Sequence, residues 1–180
     1  MYVFLNYETR KFTSFCSVLS KPAPNVGATL VQLERPQPHI KDVTWVQMRE
    51  EYERRLTESN VEFIMYSADG TVTECLFSNV FIVDKTGTVI TPPEDLVLQG
   101  TMRAGAIQTC QKHNIPFKEM RFTKDFVLSD ETTEVFITSS IFAVLPLASV
   151  NGVSKQQKIG KIIQEKILDI ILNSCTRISD

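Results

Sequence analysis

Apolar and polar residues alternate with a period of two along seven stretches, enriched in β-branched and aromatic side chains. This pattern predicts strands over Gly27–Glu34, Val61–Ala68, Asn79–Asp84, Thr88–Pro92, Pro116–Phe122, Glu134–Ser140 and Ala143–Val150. Between them "SADGT", "DKTGT" and "VNGV" read as turns, because Asp, Asn and Gly tolerate positive φ. A helical period appears three times. Val43–Thr57 places Trp45, Met48, Tyr52 and Leu56 at spacings of three and four. Thr101–His113 follows a glycine and opens on a threonine able to cap it. The last helix sets Ile159, Ile162, Ile163, Ile167, Ile170 and Ile171 on one face. A shorter helical turn starts at Thr123, with Asp125 in its first turn. Strands in close succession with helices at intervals predict one α+β domain over residues 1–180, its sheet mixed and mostly antiparallel.

One run breaks the alternation. "TVTECLFSNVFIV", Thr71–Val83, holds a single glutamate, Glu74, among uncharged neighbours. A carboxylate buried in a sheet costs stability unless it is paired. Glu74 either lies on the solvent face of an edge strand or has a partner to meet.

Composition narrows the options. Of 180 residues, 43% are hydrophobic and 22% charged, with a net charge of −2, so the chain can bury a core of its own. Basic and acidic residues are interspersed, which leaves no electrostatic footprint for nucleic acid or an anionic membrane. No apolar run reaches the roughly 20 residues that span a bilayer. The first residues lack the pattern of a signal peptide. Cysteines at 16, 75, 110 and 175 form no C-x-x-C pair, and the two histidines, His39 and His113, are far apart. Neither a metal site nor a disulfide framework is expected, and the chain reads as cytoplasmic. No G-x-G-x-x-G or P-loop occurs, so nucleotide binding of those types is excluded.

Four segments, "RPQPHIKDVTW", "DGTVTECLFSNVF", "TPPEDLVLQGTMR" and "EVFITSSIFAVLPLASVNG", carry a resemblance when taken in order. From about Leu33 to Gly152 the chain resembles the large domain of the class IV, fold-type IV pyridoxal-phosphate enzymes. These include branched-chain and D-amino-acid aminotransferases and aminodeoxychorismate lyase. The resemblance implies pyridoxal phosphate as cofactor, an amino acid and a 2-oxo acid as substrates, and a homodimer. It puts Lys41 at the lysine that forms a Schiff base with the cofactor, and Glu74 at the acid paired with the pyridine nitrogen. Ser78 and Asn79 fall in the element beside the ring. Gly100, Thr101 and Met102 match the loop and helix start that hold the phosphate, and Ser139 and Ser140 match the hydroxyls that complete its cup.

The chemistry suits those residue types. A Schiff-base lysine needs a neutral amine, a carboxylate at the ring nitrogen strengthens the electron sink, and a helix N-terminus offers N–H groups to a phosphate. Taken alone, each motif also has a plainer use: a solvated loop lysine, a helix cap, or hydroxyls closing a strand end. Met102 stands where the family often has threonine, which keeps a backbone amide and removes a hydroxyl; Thr101 supplies one just before it. The family's smaller N-terminal domain, with its phosphate-gripping arginine, is expected to be absent, since Lys41 stands only 40 residues from the start. Amino-group transfer is the expected reaction. An aminodeoxychorismate-type elimination, towards which "TEC" and "G-x-MR" lean, and a folded but inactive domain are the alternatives.

Overall fold

A computed structural model describes residues 2–6, 11–15 and 23–174, with side chains for 23–171. Twelve strands and four α-helices appear among these residues. β1 (Tyr2–Asn6) and β2 (Lys11–Phe15) form an antiparallel hairpin of their own. The other ten strands divide into two mixed five-stranded sheets, where the sequence pattern had suggested one.

The first sheet runs β10 (Ala143–Leu147), β9 (Thr132–Ser139), β6 (Asn79–Asp84), β7 (Val89–Thr91) and β8 (Phe117–Glu119). The second runs β12 (Val153–Ser154), β11 (Ser149–Val150), β3 (Gly27–Gln32), β4 (Asn60–Tyr66) and β5 (Val72–Cys75). Hairpin neighbours pair antiparallel, whereas β3 pairs parallel with β4 and β11, and β7 with β8.

The expected strand Ala143–Val150 is in fact two. After Leu147 the chain leaves β9 and crosses to the second sheet, where Ser149 lies opposite Gly27. A Cβ on Gly27 would meet the Ser149 Oγ at 2.5 Å, so the glycine permits this close pairing.

β6 is buried along almost its whole length because both its faces are covered. Val80 and Ile82 turn towards the second sheet and share a cluster with Ile64, Val72, Val135 and Ile137. Phe81 and Val83 turn the other way, onto α2 (Thr101–Lys112) and α4 (Lys158–Ser174). There Phe81 stacks on Phe136 with centroids 4.8 Å apart. On the far side of the second sheet, α1 (Thr44–Glu53) lays Trp45 and Tyr52 over Phe63, Met65 and Leu76. The layers therefore run α1, second sheet, first sheet, then α2 with α4.

Several expected faces need correction. Met48 on α1 and Ile162 on α4 are exposed, and the buried seam of α4 narrows to Ile163 and Ile167 with Ile159, Ile170 and Ile171 half-buried. An i, i+4 row is all that fits against the first sheet. The turn readings agree with positive φ at Gly70, Gly87, Asn151 and Gly152. Thr123 caps α3 (Lys124–Leu128), its Oγ1 accepting from the Phe126 amide at 3.3 Å. Cys75 and Cys110 are buried free thiols, while Cys16 and Cys175 lie outside the described residues. No helix among the described residues is long and apolar enough to cross a membrane.

Arg103, in the first turn of α2, is buried and donates to the Pro92 carbonyl at 3.0 Å and to Glu119 at 2.9 Å. This ties α2 to the strands beside it. Arg103→Met removes both bonds and leaves the Pro92 carbonyl without this donor. It is expected to cost about 2 kcal/mol, read as a fall of roughly 4–8 °C in the melting midpoint.

Candidate active site

A cavity of about 410 Å³ opens where four chain segments meet at one end of the sheets. They are the loop before α1, the β5–β6 turn, the loop before α2, and the end of β9. Lys41, Glu74, Ser78, Asn79 and Ser140 line it, together with Arg35, Leu98 and Ile141.

Lys41 sits on the proline-stiffened loop that enters α1. Among the described residues its side chain makes no hydrogen bond or ion pair, so its amine is uncommitted. Glu74 lines the same cavity from β5. That strand is the edge of its sheet, yet the carboxylate is turned inward and only 4% exposed. One oxygen accepts from Arg35 at 3.3 Å and the other from the Leu98 amide at 3.0 Å. Burial pushes its pKa above the ordinary carboxylate value; the Leu98 amide and the Arg35 cation oppose that only in part. Each oxygen keeps acceptor capacity for a further donor.

Arg35 is a site residue that the sequence reading missed. One Nη donates to Glu74 and the other to the Ile40 carbonyl at 2.6 Å, next to Lys41. Its guanidinium also lies 5.7 Å from the centre of the Trp45 ring. One side chain thus fixes the lysine loop against the buried acid.

Leu98 joins the other two segments through its backbone. Its carbonyl accepts from the Gly100 amide and from Asn79 Nδ2, each at 2.8 Å, while its amide serves Glu74. Asn79 is therefore a latch on the loop before α2. Gly100 lies close against it: a Cβ there would meet Asn79 Oδ1 at 2.3 Å.

Gly100 is the N-cap of α2, in extended conformation, and no side chain caps that end. Thr101 accordingly does not cap the helix as expected; it is the first helical residue and is exposed. The Met102 side chain packs into the core cluster under α2, so any contact it offers comes from its backbone. Gly100, Thr101, Met102 and Ser139 are not part of the cavity wall itself. The Ser139 hydroxyl closes a local turn, accepting from the Ile141 and Phe142 amides at 3.3 Å each. Ser78 does line the cavity, but its hydroxyl donates away from it, to Glu62 Oε2 at 3.0 Å.

The donor set suits a phosphorylated pyridine aldehyde. It combines an uncommitted amine and a buried carboxylate with spare lone pairs in one cavity, whose Leu98 wall stands two residues before an uncapped helix end. Residues 7–150 match the family Amino-transferase class IV. The chain belongs to the class IV aminotransferases. It is 36% identical over 84 residues to a D-alanine aminotransferase of Bacillus licheniformis, a match covering 47% of this chain and 29% of that protein. Against the D-alanine aminotransferase of Staphylococcus aureus (strain N315) the identity is 28% over 159 residues, 74% of this chain and 54% of the relative. Among solved structures, a branched-chain aminotransferase from Thermoproteus uzoniensis with norvaline superposes with a TM-score of 0.72. The identity there is 26%, with 86% of this chain and 55% of that one covered. This class IV chain therefore spans about half the length of such relatives, or less.

Proposed function

We propose that this chain is the cofactor-binding large domain of a pyridoxal-phosphate enzyme that moves an amino group between an amino acid and a 2-oxo acid. The observation that carries the reading is one cavity shared by the uncommitted amine of Lys41 and the buried carboxylate of Glu74. Bound there, pyridoxal phosphate supplies an electrophilic carbonyl carbon and a ring that accepts the electron pair left at the substrate carbon. Lys41 Nζ would hold the group covalently and would exchange a proton with the substrate carbon. Glu74 would hold a proton on the ring nitrogen, and Arg35 keeps Glu74 in place. Asn79, through Leu98, sets the start of α2, whose first backbone amides, at Thr101 and Met102, would with Ser139 and Ser140 hold the phosphate. Gly100 lets the two segments approach.

The D-alanine aminotransferases among the relatives make D-amino acids the first donors to assay. The exposed apolar side chains of Val43, Val46 and Ile141 around the mouth favour a covering partner, which we take to be a second copy in a cytoplasmic homodimer.

Borohydride reduction of the protein saturated with pyridoxal phosphate, followed by peptide mapping, tests the reading without an activity assay. One pyridoxyl group on the peptide that contains Lys41, absent from Lys41→Ala, is expected. Labelling spread over exposed lysines, unchanged in the variant, would refute the site. Release of pyruvate from an aminodeoxychorismate-type substrate without an amino acceptor would replace transfer with elimination.

A further inference from the structure

A second glutamate is buried behind the cavity wall, and nothing in the mechanism above uses it. Glu62, on β4, is 1% exposed, and its carboxylate accepts four hydrogen bonds. Oε1 receives the amides of Phe63 at 3.1 Å and Leu76 at 3.2 Å. Oε2 receives the Phe77 amide at 3.3 Å and the Ser78 hydroxyl at 3.0 Å. Three of the four donors belong to Leu76–Ser78, the turn that follows Glu74 and Cys75 and leads into Asn79. The carbonyls of that turn are held as well. Leu76 O accepts from Trp45 Nε1 at 3.3 Å and from Arg49 at 3.4 Å, and Ser78 O from the Cys75 amide at 2.8 Å.

We infer that Glu62 is the positioning residue of this site: it fixes the Leu76–Ser78 turn from behind and so sets the spacing between Glu74 and Asn79. The inference rests on the cofactor reading for its consequence, but the anchoring itself is independent of any ligand. It also assigns Ser78, whose hydroxyl proton is committed to Glu62, to the support of the wall. All four bonds present donors to the carboxylate, so they match its ionised form. A proton on either oxygen removes an acceptor and must displace one of them.

Burial raises the Glu62 pKa to about 7, against the pull of the Ser78 hydroxyl and the three amides. Protonation therefore occurs as pH falls through neutrality, and the turn is best fixed above that point. Cys75, on β5, is the titratable group that feels the Glu62 charge, and Arg49 on α1 reaches the same turn at the Leu76 carbonyl. The Cys75 thiol is pushed well up, chiefly by burial and then by the charges of Glu62 and Glu74.

Two measurements on the whole chain test this. In cofactor-free protein, the amide resonances of Leu76 and Phe77 are followed by NMR between pH 5.5 and 8.5. A common titration with a midpoint near 7 is expected in wild type. It should vanish in Glu62→Gln and move to higher pH in Ser78→Ala, which loses one of the bonds that favour the ionised form. In the same proteins, pyridoxal phosphate is titrated at pH 8, and Glu62→Gln is expected to bind it roughly tenfold more weakly. Flat amide shifts in wild type, or full cofactor affinity in a folded Glu62→Gln, would overturn the inference while the cofactor reading stands. Wild type that binds no cofactor but shows the amide titration, lost in Glu62→Gln, would sink the cofactor reading and leave Glu62 as the anchor of the turn.

Discussion

Glu74→Ala is expected to lower both stability and amino-group transfer. The Arg35 and Glu74 side chains are 9% and 5% exposed, so their contact is a buried ion pair. Removing one partner leaves the other charged in a site with little water. Losses of 3–5 kcal/mol follow when nothing else supports the stranded ion. Arg35 keeps the Ile40 carbonyl and the Trp45 ring, so about 2–3 kcal/mol is the expected loss here, or roughly 5–10 °C in melting midpoint. The Leu98 amide loses its acceptor in the same step.

Glu74→Gln separates structure from chemistry. The amide keeps one oxygen to accept from Arg35 or Leu98, so about 1 kcal/mol should be lost. It carries no charge to hold a proton on the ring nitrogen, however, so transfer should fall at least about 100-fold in both variants. Calorimetry and single-turnover kinetics on the two proteins decide the matter. A glutamine variant near wild-type rate would remove Glu74 from the chemistry and leave it a purely structural partner of Arg35.

The contrast between Glu74 and Glu62 shows what the sequence could reveal. Glu74 stood out because it interrupts an uncharged run and lies within a motif whose order and spacing resemble a known family. Glu62 sits in "VEFIMY", where a polar residue at an alternate position reads as the solvent face of an ordinary strand. Its meaning depends on a turn 14 residues further on that folds back over it. Arg35 was hidden for the same reason, since its acid is 39 positions away.

The seven expected strands were legible to within a few residues because period two is a local property, whereas β1, β2, β5 and β12 were not among those expected. The division into two sheets was not legible. Residues 143–150 read as one continuous strand while the backbone changes partners between Leu147 and Ser149. Pairing is a relation between distant segments. Alternation along one of them is satisfied equally by either arrangement.

One glycine, Gly100, acts on the site at a distance that no contact of its own would suggest. Gly100→Ala adds a methyl group at a residue whose φ of −70° suits alanine, so the backbone is not strained. The methyl would instead fall 2.3 Å from Asn79 Oδ1, and the Asn79 side chain is buried and bonded to the Leu98 carbonyl. Asn79 must swing aside, and the carbonyl it leaves belongs to the residue whose amide holds Glu74. Both ends of the site loosen together. Cofactor affinity is expected to fall about 30-fold, or about 2 kcal/mol.

Asn79→Ala removes only the latch and should cost about 1 kcal/mol. With the asparagine gone, the added methyl has nothing to displace, so the double variant should bind little worse than Asn79→Ala alone. A coupling of about 1–2 kcal/mol between the two changes is therefore expected from four binding titrations. Additive losses would mean that the methyl harms the site by some other route and that Asn79 is not the latch. Coupling of the expected size would establish that a glycine before α2 acts at Glu74, through one asparagine and one peptide group.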